Sequence, residues 1–460
     1  MKAYVIAVLV LALAPGCKKS RFNYTPPAIP SNFIEQHNTS CKTTDLYNWW
    51  NTFNDPYLSA LIKQAIAHNY TLALALEKIE ESRALYATQR AELFPHVEGI
   101  GSVTRERVSN ALLLSSAVPV SRLSFFQVGF DGSWEIDFWG KIWREKRARA
   151  HELAANIHAM QDTHLILTAD LAQAYITLCE LNNTIPLVHK QCVFAQRLIA
   201  LEKELLVAGL SNDILVAQRE QYYTTFANTY QELLAQRAQK KHQIAVLVGV
   251  APQELQLATA SSIPQGPDII HTGLPSDLIR RRPDIRRAEQ ELAASHERVG
   301  QAAAEWFPSF RLLGGITTES NTKTCWLTKN SLAWYIGPSV RWPLINFGRI
   351  RATVQAKESV RRQAALTYSN AIINALRDVE DSLSGYFYYT EELHITEQAL
   401  TQAQKEQERT CDQTHAGLAN EQACIQAAIN ALSKSIAYAQ SQARVSIQLV
   451  TLYKALGGGW

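Results

Sequence analysis

The chain has 460 residues, 47% of them hydrophobic, which is enough for a large core and, by length alone, for two or three ordinary domains. Its 45 Lys and Arg stand against 42 Asp and Glu, a formal net charge of +3 that is too even to point to nucleic acid. The basic run KIWREKRARAH at 141–151 accordingly reads as a solvated helix face.

At the N-terminus, Lys2 precedes an apolar stretch over 3–14 that is too short to span a bilayer but fits a secretory signal, so 1–16 reads as a signal peptide. The stretch ends in APGC. A cysteine directly after small residues resembles a bacterial lipobox, in which Cys17 is acylated and becomes the lipid-anchored first residue. Ala14 and Pro15 depart from the leucine and small residue usual in such boxes. Lys18, rather than an aspartate, follows the cysteine and points to the outer membrane by the usual sorting rule. The alternative is an ordinary signal peptide with an incidental cysteine. Residues 17–43, which contain KKSRFNYTPPAIPSNF, read as an extended tether. No other stretch reaches eighteen consecutive apolar residues, so any span in the mature chain must be made of strands.

Two strand-rich segments follow, and they repeat. WEIDFWGKI at 134–142 matches WPLINFGRI at 342–350 at an offset of 208, and AELFPHVEGIGSVTRE at 91–106 matches AEWFPSFRLLGGITTE at 304–319 at an offset of 213. The five residues of difference fall in SNALLLSSAVPVSRLS, read as the loop of the first hairpin. Phe126, Val128, Phe130, Trp134, Ile136 and Phe138 fall on one face of the first strongly alternating strand, and Gln127, Asp131, Ser133, Glu135 and Asp137 on the other. The second copy places Trp334, Ile336, Val340, Trp342 and Leu344 opposite Ser339 and Arg341. This is the pattern of tilted strands with one face to lipid and one to water, and equally of a soluble sandwich. In hydrocarbon a four-stranded sheet would need further chains to close its edges.

Between and after the hairpins the sequence is helical. The first repeat spans 44–250: a helix, a hairpin at about 96–138, a long helix at about 140–206 containing Pro186, which should kink it, and a return helix at about 212–247. A connection at 251–282 leads to the second repeat, 283–456: a helix, a hairpin at about 309–346, a long helix at about 348–416 and a return helix at about 419–456, with a tail at 457–460. Leu376, Val379, Leu383, Tyr386, Thr390, Leu393, Glu397 and Leu400 form a heptad seam. The turns AGLSNDILVAQ and AGLANEQACIQ carry a glycine suited to a C-cap and polar residues suited to starting the return helix.

No HExxH, GxxxxGK[ST], GxSxG or CxxC occurs, SNTK at 320–323 lacks the companions of an SxxK site, and the twelve histidines have no ligand spacing. Neither an enzyme, a cofactor nor a metal site is expected.

WWNTFNDPYLSALIKQAIAHNYTLALALEKIEESRAL, GLPSDLIRRRPDIRRAEQELAASHERVGQAAAEWFPSF and the terminal LYKALGGGW, taken with the duplication, resemble TolC-type outer-membrane efflux channels of resistance-nodulation-division systems, in the lipoprotein branch. The resemblance covers nearly the whole mature chain. It implies a mixed α and β membrane protein: a homotrimer with a twelve-stranded barrel, four strands per chain, above a periplasmic coiled-coil barrel, with 251–282 in an equatorial belt. It implies a passive exit conduit in contact with outer-membrane lipid, a periplasmic adaptor and an inner-membrane pump, and not with nucleic acid. A channel for type I protein secretion, or a structural coiled-coil envelope protein, is the alternative. Within RRRPDI, Pro283 suits a first helical turn, Asp284 complements a helix N-terminus, and the arginines read as equatorial surface.

The resemblance also places adaptor contacts at the turns, at Gly209, Leu210, Ser211, Gly417, Leu418 and Ala419, and a charged gate near them. Arg409 and Asp412 are the candidates for that gate, as an i, i+3 pair. Cys411 and Cys424 flank Gly417 so that an antiparallel helical hairpin can bring their Cα atoms within disulfide range in an oxidising compartment. Two features depart from the family: Ala423 stands where an aspartate is frequent, although Asp213 is present near the first turn, and there are seven cysteines.

Overall fold

The computed structural model describes residues 30, 33–34, 39–40, 47–107, 123–255, 262–267, 270–271 and 275–458. Cys17, the signal segment and the loop of the first hairpin lie outside the described residues. The chain divides into two compact bodies: one holds Lys78–Asn156 and Ala288–Tyr368, the other Pro27–Glu77, Ile157–Arg287 and Ser369–Trp460.

The first body contains an antiparallel sheet of β1 (His96–Glu106), β2 (Leu123–Ile136), β3 (Ser309–Ser320) and β4 (Leu332–Arg341), paired in that order. Each hairpin contributes two strands, and β2 joins them by pairing with β3. The register aligns Gly99, Phe130, Ile316 and Trp334 in one row across the sheet, and Glu98, Asp131, Gly315 and Tyr335 in the next. Because side chains alternate, the two rows face opposite sides. Gly129 cannot be replaced cheaply, since a Cβ there would lie 2.2 Å from the Ile316 carbonyl oxygen of β3.

Eight helices are described: α1 (Pro56–His68), α2 (Tyr70–Ala91), α3 (Lys141–Val207), α4 (Asp213–Val248), α5 (Pro275–Arg281), α6 (Pro283–Ala304), α7 (Arg349–His415) and α8 (Glu421–Ala455). The two long ones, α3 and α7, have 67 residues each, roughly 100 Å at about 1.5 Å per residue. The helix runs on through Pro186, so the proline removes one backbone hydrogen bond without ending the element. Each strand hands over to its long helix through a glycine in the left-handed region, Gly140 at φ +74° and Gly348 at φ +83°. This is why the glycine of the repeated motif recurs.

Both long helices also end alike. The Leu210 amide donates to the Leu205 carbonyl and that of Gly209 to Leu206, while Leu418 and Gly417 donate to Gln413 and Thr414. These are paired Schellman closures around left-handed glycines. The side chains of Asn212 and Asn420 then accept from the amides of Leu215 and Ala423 and cap the return helices.

The second body holds the main core, where Trp49 stacks on Tyr453 at 5.5 Å and is joined by Leu58, Ile62, Tyr175, Val379, Leu383 and Leu449. Along the expected seam Val379 and Leu383 are buried, Leu376, Tyr386, Thr390, Leu393 and Leu400 are half-buried, and Glu397 is exposed. A carboxylate at that position stays in water, because burying it unpaired would cost more than the seam gains.

Candidate functional site

The sheet has one greasy and one polar face. Phe130 is 60% exposed, Trp334 73% and Ile336 68%, all on the same side. On the other side Arg311 reaches Glu135 at 2.8 Å, Gln127 donates to Glu319, and the Tyr335 hydroxyl donates to Asp131. A surface with aromatic and branched residues facing outward suits hydrocarbon, and the opposite face suits a water-filled interior. β1 and β4 each have one edge without a partner strand among the described residues.

The repeated tryptophans have a role that alternation alone did not reveal. Trp134 Nε1 donates to the Leu93 carbonyl at 3.0 Å, and Trp342 Nε1 donates to the Trp306 carbonyl at 3.1 Å. Leu93 and Trp306 occupy equivalent positions before the two FP pairs. Each indole thus ties its strand back to the entry of the same hairpin, satisfying a backbone carbonyl where the chain passes from helix to strand. The recurrence of both the Trp and the FP landmarks in each copy is the signal for this bond.

At the two helical turns Gly209, Leu210, Gly417 and Leu418 are exposed, whereas Ser211 and Ala419 are half-buried. Leu210 is 76% and Leu418 81% exposed, while Gly209, Ser211, Gly417 and Ala419 complete the same turns. A disulfide joins Cys411 to Cys424 with Cα atoms 4.7 Å apart, stapling α7 to α8. The expected Arg409–Asp412 ion pair does not form among the described residues, and both side chains are exposed. An exposed i, i+3 pair gains at most about 1 kcal/mol against the entropy of holding both side chains in one geometry.

An ionic contact does join the two hairpins nearby. Arg197 on α3 grips Glu421 on α8 with both Nε, at 2.9 Å, and Nη2, at 3.1 Å. That hydrogen bond holds the Glu421 carboxyl below its ordinary range. Beside it, Glu202, only 4% exposed, accepts from Gln422 Nε2 at 3.1 Å and from the Ser211 hydroxyl.

RRRPDI also needs correction. Arg282 is not surface: its side chain is 11% exposed and bonds Asp284 at 2.8 Å and Asp378 at 3.2 Å. Its Nη1 also donates to the Ala455 carbonyl at 3.1 Å. Burial opposes its charge while the two carboxylates sustain it, and the balance raises its pKa. The helix N-terminus at Pro283, the middle of α7 and the end of α8 are therefore clasped by one guanidinium, whose planar fork can serve several acceptors. Gly457, at φ +75°, follows immediately, and a Cβ there would press on Arg282 at 3.0 Å. The terminal glycines and the arginine motif, far apart in sequence, thus form one site. It borders a cavity of about 520 Å³ lined by Asp162, Gln448 and Lys454 among others, in which burial and Asp284 raise the Asp162 pKa.

Known proteins share this architecture. The cation efflux system protein CusC of Escherichia coli O6:H1 is 26% identical over 457 residues, covering 98% of this chain and 97% of that one. The pyoverdine export outer membrane protein OpmQ of Pseudomonas aeruginosa is 27% identical over 428 residues, covering 91% and 88%. Among solved structures, the outer-membrane channel OprN matches with a TM-score of 0.85 at 25% identity, over 95% of this chain and 98% of that one. The Campylobacter jejuni CmeC outer membrane channel shares the fold, with a TM-score of 0.83 at 21% identity over 95% and 94%. The profile of outer membrane efflux proteins matches residues 61–250 and 274–458, one segment for each copy of the internal repeat. A duplicated amphipathic hairpin feeding paired long helices, matched over both copies, places this chain in the outer membrane efflux protein family, as an outer-membrane exit channel and not an enzyme.

Proposed function

We propose that three copies of this chain close a single barrel of twelve strands and continue as a helical conduit into the periplasm, where a periplasmic adaptor and an inner-membrane pump deliver small toxic molecules to it. The observation that carries this reading is the four-stranded sheet with an apolar outer face and, among the described residues, unpaired edges on β1 and β4. An open edge in hydrocarbon leaves backbone groups without hydrogen bonds, so β1 of one copy pairs with β4 of the next. The relatives are named for cargoes as different as cations and pyoverdine. A conduit that performs no chemistry accommodates such range, because energy and choice reside in the pump. The turns at 209–211 and 417–419, with Leu210 and Leu418 outward, are the proposed adaptor contacts.

Cys17 is the proposed acylation site. Labelled fatty acid should enter the wild type, and Cys17→Ala should abolish the label while the oligomer still forms, since closure depends on strands and helices. A labelled Cys17→Ala protein would remove the anchor from this account.

The proposed gate is the contact between hairpins at the turns, with the disulfide keeping the second hairpin a single unit. Arg197→Ala is expected to raise single-channel conductance in planar bilayers, and Cys411→Ser alone is not. Arg409→Ala with Asp412→Ala should also raise conductance if these exposed charges belong to the gate, and wild-type conductance would exclude them from it. Since the Glu421 pKa is lowered, the link is intact above the ordinary carboxylate range and is lost as pH falls through the lowered value. Acidification should therefore raise wild-type conductance and leave Arg197→Ala nearly unchanged. A wild-type response matching that of Arg197→Ala would place the gate elsewhere.

A further inference from the structure

We propose that the β3–β4 loop, with Lys323, Trp326 and Lys329, is a binding surface for the phosphate groups of a phosphorylated glycolipid in the outer leaflet. The inference rests on the orientation proposed above, in which the helical ends of the strands face the periplasm. Strand β1 begins just after α2, and β2 runs into α3, so the ends at Glu106, Leu123, Ser320 and Leu332 are the far ends.

At that far end the loop folds down onto the greasy face. The Trp326 ring lies 5.7 Å from that of Phe126, which is only 7% exposed although it shares its side of the sheet with Val128 and Phe130. Two short 3-10 turns, Lys323–Cys325 and Lys329–Ser331, shape the loop. The Ser331 hydroxyl donates to the Trp326 carbonyl at 2.7 Å, and the Thr328 hydroxyl donates to that of Cys325 at 2.9 Å. The lysines are thereby carried on a preformed support rather than a loose strap.

On the greasy side of this end the charge has one sign, Glu106 falling on the polar side opposite Leu123. Lys323 and Lys329 are exposed and take part in no ion pair among the described residues. No Asp or Glu occurs between Glu319 and Glu358 in the sequence. Glu319 itself projects to the polar face, where it accepts from Gln127 and Thr317. Across the sheet, Arg105 sits on the greasy side at the same end, opposite Ser124. Leu327, 75% exposed, adds an apolar contact beside the lysines. Ammonium groups in a loop whose aromatic ring packs onto the rim of an apolar band match a lipid whose headgroup carries phosphates above acyl chains.

The test uses the full-length chain, purified in detergent, and bisphosphorylated lipid A as the probe. Each basic group beside an anionic lipid surface is worth roughly fivefold in affinity, so Lys323→Gln with Lys329→Gln should weaken binding by roughly 25-fold. Dephosphorylated lipid A should bind wild type no better than the double variant does, and millimolar inorganic phosphate should not compete. Equal binding of the phosphorylated lipid by wild type and double variant, or equal affinity for both lipids, overturns the proposal. Effective competition by inorganic phosphate overturns it too, because a free anion would then be the ligand. Cys325, an exposed free thiol in the same loop, separates this failure from failure of the orientation. An impermeant maleimide should label it on intact cells but not in Cys325→Ser. Without that label the orientation falls and the lipid surface with it; with the label but equal lipid binding, only the lipid surface falls.

Discussion

Arg282→Ala is expected to lower the stability of the folded chain by about 2–3 kcal/mol. Removing one partner of a buried ionic cluster is more damaging than the pair is stabilising, because the carboxylates that remain lose their counter-charge. The estimate lies below the range for fully buried pairs, since Asp284 and Asp378 are 28% and 36% exposed and water screens part of the loss. The Ala455 carbonyl would also lose its donor at the end of α8. Arg282→Lys should recover little, as a point charge cannot serve two carboxylates and a carbonyl in the planar geometry observed. Replacing the trio together, with Met at 282 and Asn at 284 and 378, should recover much of the loss. Thermal denaturation of the purified proteins reads all three, and an Arg282→Ala midpoint equal to wild type would reduce the clasp to a surface contact.

Phe130→Arg is expected to fail at assembly rather than at folding of the helices. Its side chain is 60% exposed on the greasy face, in a row with Ile316 and Trp334. A cation facing lipid near mid-depth costs roughly 2–4 kcal/mol in strand-built membrane proteins, and in a trimer the cost would be met three times. Val128→Arg should behave alike. Ser133→Arg should be tolerated, because Ser133 lies on the polar side, paired across the sheet with His96 and Leu313. The amount of heat-modifiable oligomer in outer-membrane fractions is the readout. Equal loss at Phe130 and Ser133 would mean that the register is wrong, and loss at Ser133 alone would mean that the faces are the reverse of those given.

Much of the architecture was legible in the sequence because it is built from periodicity. Alternation at 126–138 fixed which side of β2 is greasy, and the two offsets fixed the duplication and the loop that breaks it. The recurring glycines located both turns, since only a residue tolerant of positive φ closes a helix in that way. What the sequence hid depends on contacts between distant segments. Arg282 sits in a run of three arginines and nothing local separates it from Arg280 and Arg281; only packing against Asp378 and the end of α8 buries it. Arg197 and Glu421 are 224 residues apart and belong to different copies of the repeat, so no heptad or i, i+4 rule could pair them. Arg409 and Asp412 are neighbours on one helix, the kind of pair that water dissolves most easily.

On the proposed reading this sheet cannot stand alone in a membrane and is closed by two further copies. Native mass spectrometry of the chain extracted from outer membranes in mild detergent tests it most directly. The expected result is a species of three chains that falls to single chains on boiling in dodecyl sulfate; single chains or pairs in the mild detergent would contradict the account.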